Sequence, residues 1–166
     1  MEKLAGRAAE AYNGNMAEPQ SKNLAENRRA RFDYALSENY EAGIELLGAE
    51  VKSVKAGRLN LAGSFARVRD GELWLTNADL PANQPKNAPS DYDPVRPRRL
   101  LLHRTEIKEL TGKLQERSWN LVPLRAYLKR GLVKIELGLG RNRKAPDKRE
   151  YLRKKVSARE MRQAKR

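Results

Sequence analysis

The feature of this sequence that most constrains its fold is a two-residue alternation of apolar and polar side chains. Near residues 31–46 the alternation places apolar residues on two strand faces: Phe32, Tyr34 and Leu36, then Ala42, Ile44 and Leu46. Near residues 119–140 it continues on both sides of a Lys-Arg-Gly turn: Val122, Leu124, Ala126 and Leu128, then Val133, Ile135, Leu137 and Leu139. This period is typical of half-buried β-strands, so the pattern predicts antiparallel strands joined by tight turns.

The remaining elements follow from shorter signals. Residues 64–78 read as a hairpin around Asp70-Gly71, a dipeptide that supplies the positive φ values of a type I′ turn. Residues 48–57 fit a short helix that Gly57 ends. A second helix is predicted near residues 104–116, with apolar residues on one face and a Glu109–Lys113 pair at i,i+4. About six short strands with two or three flanking helices indicate a mainly β (α+β) fold, an OB-like closed antiparallel barrel.

The charge distribution divides the 166 residues into three parts. Residues 1–26 are polar and rich in small residues, so we expect a disordered N-terminal extension, within which Met16 offers a second possible start. Residues 27–140 carry the strand patterns and form the predicted barrel domain. Residues 141–166 hold 12 Lys or Arg and 3 Asp or Glu, a net of +9, and predict a basic tail that is disordered when free.

Composition narrows the function classes. The net charge is +14, and its concentration in the tail indicates a polyanionic partner, with nucleic acid the default. There is no cysteine, which excludes a disulfide framework and a thiolate metal site. No apolar run approaches the roughly 18 residues of a membrane span, and no signal-peptide core is present, so a cytoplasmic location is expected.

Catalytic and cofactor motifs are not recognisable. His103 is the single histidine, and a surface or helix-capping role is the favoured interpretation on sequence alone. The Gly-Leu-Gly-Arg sequence at residues 138–141 lacks the third glycine and the lysine of a phosphate-binding loop. Tyr34 and Trp119 could stack on bases, or could equally pack in the core. We therefore predict a non-enzymatic protein without cofactors or metal.

Five segments in order resemble the SsrA-binding protein family, also called SmpB or small protein B. They are AENRRARFDY, YEAGIELLGAEVKSVKAGRLNL, DYDPVRPRRLLLHRTEI, LVPLRAYLKRGLVKIELGLG and DKRE, and the resemblance runs from Asn23 to the C-terminus. It implies an OB-like barrel that binds the tRNA-like domain of transfer-messenger RNA (tmRNA). It further implies an adaptor for ribosomes stalled without a stop codon, delivered with elongation factor Tu and expected to be a monomer.

The resemblance also assigns roles to residues. Five residues match family positions linked to RNA binding: Tyr34, Glu41, Leu101, His103 and Lys134. Three match the basic run just past the barrel: Arg141, Arg143 and Lys144. Asp147, Lys148 and Arg149 match the family's DKR, which is used in the decoding centre of the small ribosomal subunit. The positive Pro97-Arg98-Arg99 segment beside Leu101 and His103 suits an unstacked base, and the tail is expected to become helical on the ribosome.

Three positions depart from the family pattern: Tyr92 where His is usual, Asn142 where Gly is usual, and Pro146 where His or Tyr is usual. Pro146 puts any ring stacking at that position in question. Two other functions stay open at this point. One is a constitutive ribosomal or other structural RNA-binding protein, and the other is an enzyme that modifies or cleaves RNA.

Overall fold

The computed structural model describes residues 21–165, which contain seven strands, four α-helices and one 3-10 turn. The strands are β1 (Lys22–Glu26), β2 (Tyr34–Ile44), β3 (Phe65–Arg69), β4 (Glu72–Thr76), β5 (Arg98–Leu101), β6 (Trp119–Lys129) and β7 (Leu132–Asn142). The helices are α1 (Ala30–Asp33), α2 (Gly48–Lys55), α3 (Arg104–Leu114) and α4 (Ala145–Ala164), and the 3-10 turn is Pro85–Asn87. No helix among the described residues is both long enough and apolar enough to cross a membrane.

All strand pairings are antiparallel and belong to one sheet, in the order β1-β6-β3-β4-β5-β2-β7, with a further pairing between β6 and β7. The mainly β, α+β prediction is confirmed. Asp70 and Gly71 adopt φ values of 52° and 74° in the β3–β4 turn, which confirms the predicted hairpin. Arg130 and Gly131 repeat this geometry between β6 and β7, with φ values of 50° and 77°. Because such turns match strand twist, each fixes the register of its hairpin.

Two β-bulges change which residues face the core. One lies between Leu36 and Glu38 in β2, and the other between Pro123 and Arg125 in β6. A bulge adds one residue to one strand, so every side chain beyond it switches face. Val122 and Leu124 consequently pack in a second apolar cluster with Ala30, Tyr34 and Leu36, away from Ala126. The prediction that residues 122, 124, 126 and 128 share one face is wrong, as is a strand position for Phe32, which lies in α1.

The main core is enclosed by the sheet and by two helices. Its fully buried members include Leu73, Leu75, Leu100, Leu121, Ile135, Leu137 and Leu139, with Val54 from α2 and Leu110 from α3. Both helices confirm their sequence predictions. Gly57 follows α2 with a φ of 77°, and the Lys113 Nζ of α3 lies 2.7 Å from Glu109 Oε1.

The N-terminal boundary differs from the prediction. Residues 1–20 of the expected disordered extension lie outside the described residues, but Lys22–Glu26 form β1, which pairs with β6. Leu24 of this strand is buried. β3 pairs with only part of β6, which would leave the rest of that β6 edge unpaired. β1 pairs with this remaining part of the edge.

The tail also differs from the prediction of disorder, because residues 145–164 form the helix α4. Pro146 lies in its first turn, where a missing N–H leaves no intrahelical hydrogen bond unmade. The Asp147 carboxylate accepts the Lys144 backbone N–H at 3.3 Å. The Glu150–Lys154 ion pair at 2.8 Å supports the second turn. None of the residues of α4 is buried, so these local contacts and a short contact with the body stabilise the helix.

Candidate nucleic-acid interface

Three of the residues predicted to bind RNA meet on the outer face of the sheet. In the sheet register Gly43 of β2 lies opposite Leu101 of β5 on one side and Lys134 of β7 on the other. Glu41 lies two residues before Gly43, so its side chain projects from the same face. The next strand, β6, places Tyr127 opposite Lys134. We call the group formed by Glu41, Leu101, Tyr127, Lys129 and Lys134 the sheet patch.

Gly43 explains how the apolar part of the sheet patch is built. A Cβ at this position would lie 3.3 Å from the Leu101 Cβ, closer than most side chains approach. The absence of a side chain at Gly43 lets Leu101 lie against the β2 backbone. Leu101 is nevertheless 49% exposed, an apolar side chain presented to solvent beside Lys134. This combination offers a partner an apolar contact next to a positive charge.

Glu41 is held in one position by its neighbours. Its carboxylate accepts a hydrogen bond from the Tyr127 hydroxyl, and the Lys129 Nζ lies 3.4 Å away. Burial raises the pKa of Glu41, but the Tyr127 hydrogen bond and the charges of Lys129 and Lys134 outweigh it, and the pKa falls below its usual value. Burial and the Glu41 charge both raise the pKa of Tyr127. Glu41 is therefore an ionised, oriented acceptor for partner N–H or O–H groups.

His103 lies at the N-terminal cap of α3, directly beyond β5. Its backbone N–H donates to Glu106 Oε2 at 3.2 Å, while the side chain is exposed. His103 therefore occupies the helix-capping position that the sequence favoured. Its backbone N–H makes the capping hydrogen bond to Glu106. The exposed ring lies two residues from Leu101, at the margin of the sheet patch.

The expectation of a positive segment at Pro97-Arg98-Arg99 is wrong for one of its two arginines. Arg98 is 1% exposed, and its Nη2 lies 2.8 Å from Oε1 of the equally buried Glu50. Arg96 reaches the other oxygen of Glu50 at 2.6 Å. Burial raises the pKa of Glu50, but hydrogen bonds from Arg96, Arg98 and the Leu47 N–H lower it to about 2. Arg98 therefore anchors β5 to α2 and is not available to RNA.

The same carboxylate orders the proline-rich loop at residues 81–97. The Tyr92 hydroxyl lies 3.2 Å from Glu50 Oε1 and donates to the Leu80 carbonyl at 2.7 Å. The departure from the family pattern at Tyr92 thus falls on a structural residue. Sequence reasoning missed Glu50 because its partners are 46 and 48 residues away and no local signal marks it.

Tyr34 lies at the opposite end of β2 from the sheet patch. It lies seven positions before Glu41, a distance of roughly 23 Å along an extended strand. The Tyr34 ring is half-buried, and the Arg143 Nε donates to its backbone carbonyl at 3.3 Å. The five residues predicted to bind RNA thus separate into two groups, with Tyr34 beside the start of the tail.

The tail helix is attached to the body by a small cluster that we call the tail root: Phe32, Asp33, Arg143, Lys148 and Tyr151. The Arg143 N–H donates to the Asp33 carbonyl at 2.8 Å, and Lys148 Nζ lies 3.1 Å from Asp33 Oδ1. The Phe32 and Tyr151 rings are 6.3 Å apart. The Arg143 guanidinium lies 4.6 Å from the centre of the Tyr151 ring, and the Lys148 ammonium 5.5 Å from that of Phe32. These contacts fix the direction in which α4 leaves the body.

The three predicted decoding-centre residues have different environments. Asp147 caps α4, and Lys148 belongs to the tail root. The Arg149 side chain is exposed and makes no hydrogen bond or ion pair within residues 21–165. Asn142 pairs with Tyr34 at the end of β7 and does not have a positive φ. The Asn that stands here in place of the family's usual Gly therefore needs no left-handed backbone conformation.

The two other basic-run residues lie on either side of Arg143. The Arg141 guanidinium lies 4.2 Å from the centre of the Trp119 ring and 3.9 Å from Glu116, and Lys144 is exposed at the start of α4. Within residues 21–165, no cluster of three or more His, Asp or Glu side chains is arranged to hold a metal ion. The two regions offer acceptors, cations, rings and apolar contacts, which is the chemistry of RNA recognition.

Comparisons with known proteins identify the relatives of this chain. The model of the family described as SmpB protein matches residues 24–166. An SsrA-binding protein of Synechococcus elongatus is 50% identical over 141 residues, covering 85% of this chain and 92% of the relative. The SsrA-binding protein of Carboxydothermus hydrogenoformans is 49% identical over 141 residues, covering 85% of this chain and 94% of the relative.

A solved structure gives the same result. One chain in a structure of tmRNA-SmpB and the bacterial ribosome is 47% identical, with a TM-score of 0.62, and the match covers 78% of this chain and 95% of that chain. The likeness therefore holds in sequence and in three dimensions over most of the chain. This protein belongs to the SmpB family.

Proposed function

We propose that this protein is a non-enzymatic adaptor that binds the tRNA-like domain of tmRNA and brings it to stalled ribosomes for trans-translation. The observation that carries the proposal is the convergence at Gly43. Leu101 and Lys134, 33 residues apart in the chain, flank this glycine, and Glu41 lies two residues away. SmpB proteins are RNA-binding adaptors, and the relatives of this chain carry the name SsrA-binding protein.

The fold supports the proposal in its finer form, an OB-like closed barrel. Starting from β6, successive antiparallel pairings run through β3, β4, β5, β2 and β7, and β7 pairs again with β6. A sheet whose last strand pairs with its first has no free edges along that circuit. β1 lies outside the circuit as an added strand. The sheet patch then lies on the outer wall of the barrel, where strands present their side chains to a ligand.

The residues of the sheet patch, with His103 at its margin, have complementary roles toward tmRNA. Lys134 and Lys129 neutralise phosphates, Leu101 contacts an unstacked base, and His103 adds a ring at the margin. Glu41 accepts hydrogen bonds from a base amino group or from a ribose 2′-OH, since its charge repels phosphate. Tyr127 holds the Glu41 carboxylate in place for that contact.

The tail has a separate role in the small subunit. Residues 141–166 carry a net +9, and α4 exposes that charge along its length. Asp147, Lys148 and Arg149 read the empty decoding centre, and the remainder of α4 lies against ribosomal RNA. The proposal includes a cytoplasmic monomer delivered in complex with elongation factor Tu.

Two experiments test the interaction with tmRNA. One measures the salt dependence of the affinity, and the other compares alanine substitutions of two exposed leucines. If about six phosphates are neutralised, affinity falls roughly a thousandfold between 50 and 200 mM salt. Leu101→Ala should weaken tmRNA binding by about 1–2 kcal/mol, since part of a buried leucine is lost from the complex. Leu47→Ala is the matched control, because Leu47 is 55% exposed at the N-cap of α2, outside the sheet patch. Equal effects of the two substitutions in a filter-binding titration would refute the assignment of the sheet patch.

The RNA that co-purifies with the protein from cells distinguishes the proposed function from the alternative, a constitutive ribosomal protein. Sequencing of co-purified RNA should show one enriched species with a tRNA-like end. Stoichiometric ribosomal RNA without that species would establish the alternative. Turnover of RNA by the pure protein would establish an enzyme instead.

A further inference from the structure

A cleft of about 540 Å³ opens between β3, β6 and the C-terminal half of α3. Three half-buried aromatic rings line it, Tyr34 from the start of β2, Phe65 from β3 and Trp119 from β6. Its volume falls in the range of roughly 300–1,000 Å³ that small-molecule sites occupy. Three rings converging from three strands make a surface on which flat apolar ligands stack.

The cleft also has the polar groups that a nucleotide requires. The Arg67 guanidinium lies 5.1 Å from the centre of the Phe65 ring at the cleft wall. Gln115 and Asn120 line the cleft with amides that both donate and accept hydrogen bonds. We call the site formed by Tyr34, Phe65, Arg67, Gln115, Trp119 and Asn120 the ring cleft.

The ring cleft continues toward the tail root. An adjoining cleft of about 400 Å³ shares Tyr34 and Phe65 with it and is lined by Arg29, Asp33 and Ser64. Asp33 is itself a tail-root residue, so the second cleft lies between the ring cleft and the start of α4.

We infer that the ring cleft binds an unpaired nucleotide of small-subunit ribosomal RNA, stacked among the Tyr34, Phe65 and Trp119 rings. The chemistry is that of RNA readers, which stack splayed-out bases on aromatic rings and on arginine planes. This inference rests on the proposed function, which places the tail in the decoding centre. The position of the ring cleft indicates the source of the RNA. The cleft lies at the start of β2, the end of this strand that is next to the tail, and roughly 23 Å of strand separate it from Glu41 in the sheet patch.

Cross-linking from two positions tests the source of the RNA. The full-length protein carries a photoreactive phenylalanine in place of Phe65 or of Leu101, and each form is irradiated in the complex with tmRNA and ribosomes. Position 65 should label small-subunit ribosomal RNA. Labelling of tmRNA from position 65, or no RNA labelling there, overturns the inference. Position 101 reports separately on the proposed function, because it should label tmRNA whatever position 65 does.

Point variants test the stacking itself. Phe65→Leu keeps apolar volume but removes the ring, and should weaken binding to 30S subunits about 5- to 150-fold, while Phe65→Tyr restores it. Arg67→Gln should also weaken it, whereas Arg69→Gln is the matched control, since Arg69 lies on the same strand but outside the cleft. All four variants should bind purified tmRNA normally. Equal losses for Arg67→Gln and Arg69→Gln, or full 30S affinity for Phe65→Leu, would overturn the inference.

Discussion

The body and the tail of this protein carry similar kinds of charged residues but use them differently. In the body many of the charges have intramolecular partners, as Glu50 and Arg98 do with each side chain 1% exposed. Lys113 likewise lies 2.6 Å from Glu38 and 2.7 Å from Glu109. In α4 no residue is buried, and beyond the tail root the ion pair found is Glu150–Lys154. The body therefore uses many of its charges to fix its own shape and presents the sheet patch to a partner, whereas the tail presents most of its charges.

This contrast also explains why the tail can be helical with so little body contact. Its helix depends on Asp147 at the N-terminus, on Pro146 and on residues with high helix propensity. Its apolar residues Leu152, Val156 and Met161 are exposed and bury nothing. Among the elements of residues 21–165, α1 makes the most extensive contact with α4, at the tail root. Changes among the buried charges of the body should alter stability, and changes on the exposed surface of the tail should alter function.

The largest loss of stability should come from Glu50→Gln. This substitution leaves Arg98 buried without a counter-charge, and such losses are about 3–5 kcal/mol. Urea unfolding of the two proteins at pH 7 measures the difference. A change below 1 kcal/mol would show that the buried charges of the body are not what fixes its shape.

The difference in unfolding free energy between the wild type and Glu50→Gln should also depend on pH, in a direction that the Glu50 pKa determines. The pKa of Glu50 is about 2 in the folded protein and near 4.3 in an unfolded chain. Its stabilisation is therefore fully present above about pH 5 and is lost as the pH falls toward 2. The difference in unfolding free energy between the wild type and Glu50→Gln should narrow over that interval. A difference that stays constant from pH 6 to pH 3 would contradict this account.

Gly140→Ala should have an intermediate effect on stability. A Cβ there would lie 2.6 Å from the Ala35 carbonyl oxygen, so the β2 and β7 backbones must separate. Overpacking of this kind is destabilising by about 1–3 kcal/mol. Gly112→Ala is the control, because Gly112 lies in α3 with open space around it and alanine favours helices. Thermal unfolding should show a lower Tm for Gly140→Ala and an unchanged or higher Tm for Gly112→Ala.

Asp33→Asn should have the smallest effect, confined to the tail root. It removes the ion pair with Lys148, in which both side chains are about one-third exposed. Such a pair contributes about 0.5 kcal/mol, so amide exchange in the first two turns of α4 should roughly double. Asp70→Asn has the same charge change at a hairpin turn and should leave that exchange unaltered. Equal exchange in the two variants would mean that Asp33 does not hold the tail.

The elements that the sequence predicted correctly are those with local causes. The Asp70-Gly71 turn, α2 ending before Gly57 and the apolar face of α3 each depend on neighbouring residues. The bulges of β2 and β6 have no such signal. A Cβ at Gly138 would lie 2.9 Å from Leu36 and 3.1 Å from Leu124, so the room that the second cluster needs depends on three separate segments. The edge that β1 covers likewise exists only after β6 has paired.

For the candidate site, the family resemblance identified the individual residues, but only the strand pairing of the sheet showed which of them lie together. Leu101 and Lys134 become neighbours only through Gly43. Arg98 looked like an exposed cation because nothing near it in sequence reveals Glu50 as its partner. Phe65 and Trp119 belong to strands 54 positions apart in the chain, so the ring cleft could be recognised only once β3 and β6 had been placed.

The most direct test of the contrast between body and tail is the triple variant Asp147→Ala, Lys148→Ala and Arg149→Ala. The control is Glu150→Ala, Arg153→Ala and Lys154→Ala, which removes the same net charge one turn further along α4. The first variant should keep its Tm and its affinity for tmRNA but fail to support tagging of peptides on stalled ribosomes, while the control tags them. Normal tagging by the first variant would show that the tail acts only as diffuse positive charge.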